Sequence, residues 1–153
     1  MYEFFIVLHS WLRWVVVFGG LAAVSLAIQG LVTGAEYRKP QKISGIVFLA
    51  STHTMLVLGF VLFFLSPTVN AALADMSAAM KTKALRFWVV EHTTLMVLAA
   101  IAVTVGYSTA KRAEQSIAKH KRSLIGFGLG FGLILLGIPW PFRAEIARAL
   151  FRV

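Results

Sequence analysis

The sequence predicts an all-α membrane protein, a four-helix bundle of transmembrane helices with both termini on the same side. Three observations predict it. Hydrophobic residues make up 59% of the chain and charged residues only 14%, whereas a soluble domain carries nearer a quarter charged residues. Apolar runs of about 20 residues, enough for a helix to cross a bilayer, recur along the chain. The basic residues behind the net charge of +9 cluster in short connections between those runs, where membrane topology places them. That clustering argues against nucleic-acid binding, which the charge alone would invite.

Each element can be justified in turn. The first span covers about 4–33 and is long enough to tilt or to project past the bilayer. Its start, MYEFFIVLHSWLRW, lacks a basic n-region and is too long an apolar stretch for a signal peptide, so it is expected to remain as a span. The second span, about 43–65, is closed by Ser66-Pro67. In the connection that follows, Leu73, Met76 and Met80 stand at helical spacing and predict a short helix lying on the membrane. The third span is about 86–108. The fourth, about 121–138, only just spans and is stopped by Pro139-Trp140-Pro141. In the tail, 142–153, Phe142, Ile146, Ala149, Leu150 and Val153 fall on one stripe and Arg143, Arg148 and Arg152 mostly off it, which predicts an interfacial helix.

Four spans place both termini on one side. The connections on the opposite side carry eight basic residues, among them Arg38, Lys42, Lys111 and Lys121, against six on the terminal side. The positive-inside rule then makes the opposite side cytoplasmic and the termini extracytoplasmic. Trp11, Trp14, Trp88 and Trp140 all fall toward the terminal side, as an aromatic belt would.

Hydrocarbon cannot solvate an ionisable group, so such a group at membrane depth marks a functional site by default. The third span carries Glu91 and His92 near its start, and the first carries His9 with Arg13 one turn deeper. Counted from Glu3 and Arg86, His9 and His92 are each six residues in, or roughly 9 Å. Imidazoles at equal depth on two helices can ligate one iron from opposite faces, and a bundle core is where such sites are built. Arg13 would neutralise an anionic group of the cofactor or pair with Glu91. Trp88 and Met96 flank His92 at i−4 and i+4 and can wall a pocket. Ser10, Thr93 or a backbone carbonyl can accept the spare imidazole proton. The competing account is plain packing: a membrane histidine often only bonds a neighbouring helix, for about 0.6 kcal/mol.

His53, in STHTM, lies deeper than the other two. It can replace His9 as partner to His92, ligate a second haem, lie on a proton path, or simply bond within its own helix. His120 stands in the basic run KRAEQSIAKHKR, where a solvated side chain without a ligand role is expected. The chain has no cysteine, which excludes disulfides, thiolate zinc sites, Cys-ligated iron–sulfur clusters and c-type haem attachment. Any metal must hang on histidine, carboxylate or methionine. In the fourth span Gly126/Gly130 and Gly128/Gly132 form small-xxx-small pairs, suited to close approach of another helix, a second copy or a flat macrocycle.

LHSWLRW near the start, the central histidine of the second span, RFWVVEHTTLM in the third and GIPWPFR at the end resemble small bacterial four-helix membrane proteins labelled cytochrome B or cytochrome b-like. The resemblance covers nearly the whole chain. It implies a multi-pass protein of the bacterial inner membrane that binds haem b through helix histidines, here His9 and His92, with His53 as a third candidate. A weaker likeness is to the haem-binding membrane protoporphyrinogen oxidases, whose proline–arginine–leucine pattern after the first histidine is missing here.

The leading expectation is therefore electron transfer by a membrane haem b protein, with a quinone or a partner redox subunit of a respiratory or photosynthetic complex. Arg13 could alternatively polarise a quinone oxygen, and Glu91 relay protons. Lacking a soluble redox domain, the chain is expected to work with other membrane subunits or as a homo-oligomer. The rivals are a non-redox accessory subunit, a proton or ion pathway through Arg13, Glu91 and His53, and a protoporphyrinogen oxidase-like enzyme.

Overall fold

The computed structural model of the chain describes residues 1–151. It is helical, and no strand occurs among the described residues. Helix α1 runs Tyr2–Thr33 and α2 Lys39–Leu65. Three short helices follow, α3 Pro67–Ala74, α4 Met76–Lys81 and α5 Lys83–Arg86. A π-helical turn, Phe87–Glu91, leads into α6 His92–Arg112, and α7 Ser116–Gly137 completes the helices.

Local chemistry sets the boundaries. Gly34, at φ 65°, ends α1 in the left-handed conformation that glycine adopts without a Cβ penalty. Gln41 accepts the Arg38 backbone N–H at 3.1 Å where α2 begins, with Pro40 in its first turn. Ser66 closes α2 and caps α3, its hydroxyl accepting the Val69 N–H at 3.4 Å. The Asp75 carboxylate caps α4 through the Ala78 N–H at 3.0 Å.

Three helical stretches are long and apolar enough to cross a membrane: Tyr2–Thr33, Lys39–Leu65 and Lys83–Arg112. Large apolar side chains lie exposed along their outer faces, Phe18, Val57, Phe64 and Ile101 among them. A helix apolar on its outer as well as its inner side suits lipid, not water. Helix α7 does not join this group. It starts at Ser116, earlier than the expected 121, and Lys119, Lys121 and Arg122 occupy its first turns.

The four long helices pack as neighbours in a ring, α1 on α2, α2 on α6, α6 on α7 and α7 on α1. Phe48 of α2 and Phe127 of α7 meet edge-to-face at 5.7 Å in the core, beside Val16, Ala99 and Val103. Helices α6 and α7 cross closest at Gly106 and Gly126, where a Cβ on Gly126 would stand 2.2 Å from Gly106 Cα. Gly130 faces Val103 in the same seam. Of the glycine pairs in α7, Gly126/Gly130 thus serves packing within the chain, while a Cβ on Gly132 would meet nothing within 4 Å.

Two expectations need correction. The tail is not an interfacial helix: residues 142–151 form turns, and Arg152 and Val153 lie outside the described residues. Pro139 and Pro141 interrupt the helix, Ile146 is buried, and the Arg148 N–H returns to Pro139 O at 3.1 Å. The folded-back chain buries its apolar residue directly, without needing a helical stripe. His120 is not solvated. Helical phase turns it inward with Ser123 and Phe127 while Lys121 and Arg122 face out. Gly30 leaves it room: a Cβ there would stand 2.1 Å from its Cε1. The connection after α2 is indeed helical, though broken at Asp75 into α3 and α4, which bury Val69, Ala72 and Ala79 and leave the stripe of Leu73, Met76 and Met80 exposed.

Candidate functional site

Tyr2 and Ala149 line the same cavity, so both chain ends gather at one end of the bundle. This cavity has a volume of about 190 Å³ and is bounded by α1, α2, α3, the π turn, α6, α7 and the tail. His9, Arg13, Trp88, His92 and Met96 all line it. Its walls are otherwise mostly apolar, with Met55, Phe60, Phe63 and Ile134 among them. No carboxylate lines it among the described residues.

His92 is held from both sides. Its Nδ1 lies 2.8 Å from the Gly137 carbonyl, so Nδ1 carries the proton and Nε2 keeps its lone pair. The rings of Phe87 and Trp88 stand 5.7 Å and 5.8 Å from the imidazole. The π turn sets this arrangement: the His92 N–H reaches back five residues to Phe87 O. The Thr93 hydroxyl makes the same reach to Trp88 O at 3.5 Å. Such turns recur at functional sites because one extra residue re-aims the side chains on either side of it.

Across the cavity, His9 Nδ1 is buried without a partner. Gly59 of α2 faces this ring with no side chain of its own, and a Cβ there would stand 3.7 Å from His9 Cε1. One turn deeper, Arg13 donates through Nη2 to the Leu150 carbonyl, which also accepts the Trp14 indole N–H at 3.2 Å. The Arg13 Nε–H has no acceptor, and neither has the hydroxyl of Thr52.

Four buried side-chain polar atoms lack a partner among the described residues, and three of them belong to residues lining this cavity. A buried donor or acceptor left unmade costs about 1–3 kcal/mol. Their concentration in one cavity therefore points to an occupant that satisfies them. The fourth is His120 Nδ1, at the other end of the bundle, where Nε2 donates to Ala35 O at 3.1 Å and the Tyr37 ring packs at 5.0 Å.

The remaining candidates lie elsewhere. Glu91 is outside the cavity lining and takes the Arg86 Nε–H at 2.7 Å. His53 is exposed on the outer face of α2, with Nδ1 donating to Leu49 O at 2.9 Å and Nε2 beside the Thr104 hydroxyl at 3.3 Å. Arg13, Glu91 and His53 are thus not brought to one place. Of the acceptors expected for the spare imidazole proton it is a backbone carbonyl, that of Gly137, which serves His92, and the tail residue Arg148, not assigned to the site from the sequence, also lines the cavity. A carbonyl has no sequence signal, and Arg148 enters only because the tail folds back.

Among the described residues no group of three or more His, Cys, Asp and Glu could hold a metal ion. Two imidazoles alone do not complete a zinc site, which takes three or four protein ligands. They suffice for an iron whose other four ligands come from a macrocycle. No family model, curated protein or solved structure matches this chain.

Proposed function

We propose that the chain is a multi-pass membrane protein, with α7 as its fourth span, that binds haem b between His9 and His92 and transfers electrons within the bilayer. The observation that carries this reading is one cavity lined by both histidines. In it the Gly137 carbonyl fixes the His92 tautomer and a ring nitrogen of His9 is left without a partner. A metal-ligating imidazole characteristically gives its other N–H to a carbonyl or carboxylate, which orients the ring and raises its basicity. The donor set therefore fits the group.

Bound there, haem would supply one-electron redox chemistry. The chain's part is positioning and environment. Phe87 and Trp88 hold the His92 ring at its angle, while Met55, Phe60 and Met96 keep the pocket apolar. Thr68 and Val69 of α3 and Arg148 and Ala149 of the tail complete the lining. The exchange partner would be a quinone or another membrane subunit. The excess of basic residues at the opposite end of the bundle supports a cytoplasmic position for that end and termini outside. With the sequence resemblance to cytochrome b-like proteins, it favours a bacterial inner membrane as the location.

The test is the absorbance of the purified protein. A reduced-minus-oxidised Soret shift is expected, lost in His92→Ala. A colourless preparation that also fails to take up added haem rejects the proposal.

A further inference from the structure

Arg13 and Arg148 both line the cavity, and neither has a carboxylate partner among the described residues. The ion pairs of the described chain lie elsewhere, as Arg38–Glu36, Lys83–Glu145 and Arg86–Glu91. Arg13 is only 9% exposed. One face of its guanidinium lies 5.5 Å from the Trp14 ring, and its Nη2 is tied to Leu150 O. Its Nε–H is buried and free. Arg148, two residues before that carbonyl, is exposed and sits 4.9 Å over the Trp88 ring. Two cations thus face a mostly apolar cavity that contributes no anion. Holding a buried guanidinium without a counter-ion is costly, and a guanidinium fork is the side chain best matched to a carboxylate or phosphate.

We infer that Arg13 and the tail residue Arg148 form an anion clamp on the side of the cavity where the tail meets α1, so that its ligand is an amphipathic acid. Its apolar body lies among the helices and its acidic group between the two guanidiniums. The inference deepens the haem reading and rests on it for the identity of the body, since haem carries two carboxylates on a flat apolar ring. A fatty acid or an anionic phospholipid has the same chemistry in simpler form. In either case the tail belongs to the binding site. Its Leu150 carbonyl orients Arg13, and Phe151 packs on the Trp11 and Trp14 rings at 5.2 Å and 5.4 Å to hold the strap in place.

The experiment titrates the full-length protein, in a neutral detergent, with haem and with haem dimethyl ester. Binding is read from the Soret band and from quenching of tryptophan fluorescence. Arg148→Gln is the primary variant because its side chain is exposed and its loss leaves the core intact. Arg13→Lys, which keeps the charge, and Arg13→Gln, which removes it, form a second pair. Esterification is expected to weaken binding to the native chain by about tenfold, the loss of one charge-assisted hydrogen bond, and to matter little in Arg148→Gln. Equal affinity for acid and ester, or equal loss of both in Arg148→Gln, overturns the clamp while leaving the haem reading standing. Oleate and phosphatidylglycerol form the other arm. Should neither haem form bind while oleate or phosphatidylglycerol quenches fluorescence in an Arg148-dependent way, the haem reading fails and the clamp holds for a lipid acid.

Discussion

At the residue scale, the site depends on contacts that sequence spacing only partly displays. That His9 and His92 would lie toward the same end of the bundle was legible, because helical rise converts position into height once the span edges are placed. Their facing one cavity was not, since the π turn at Phe87–Glu91 sets the direction of His92 relative to Trp88 and leaves no sequence pattern. His120 shows the opposite failure. Its basic neighbours suggested solvent, yet helical phase and the missing side chain of Gly30 put it inside. Gly30→Ala is therefore expected to drive a methyl group into the imidazole and cost about 1–3 kcal/mol, the usual range for overpacking. The check is thermal unfolding in detergent followed by circular dichroism. An unchanged midpoint would mean that His120 moves aside freely.

At the scale of the element, apolar run length identified the long helices, and proline and glycine marked most of their ends. The tail was misread because amphipathic spacing is compatible with more than one way of burying Ile146. Pro139 and Pro141 decide the matter by breaking the helix, after which the turns and the Leu150 carbonyl place the chain over α1. The glycines of α7 allow a paired test. Gly126→Ala would set its methyl against the Gly106 backbone, which cannot rotate away, so the α6–α7 seam must open. It is expected to cost well over 1 kcal/mol. Gly132→Ala meets open space and is expected to be neutral or slightly stabilising, by up to about 1 kcal/mol, since alanine is the better helix former. Equal effects of the two substitutions would contradict the close crossing.

For the whole molecule, the recurring apolar runs announced a helical chain with exposed apolar surfaces. What they could not announce was that the chain ends, the π turn and all four long helices would enclose one cavity, because that depends on which faces of the helices meet. The tail closes this end, so removal of residues 146–153 is expected to leave the helices formed while weakening haem retention, measured as dissociation into an acceptor such as apomyoglobin. An unchanged off-rate would detach the tail from the site.

The central claim is that His9 and His92 hold a single ligand between them. Electron paramagnetic resonance of the oxidised, haem-loaded protein tests it most directly. Two imidazoles on one iron should give a low-spin ferric signal, and His9→Ala and His92→Ala should each convert it to high spin. A low-spin signal that survives both substitutions, or no haem uptake by the native chain, would contradict it.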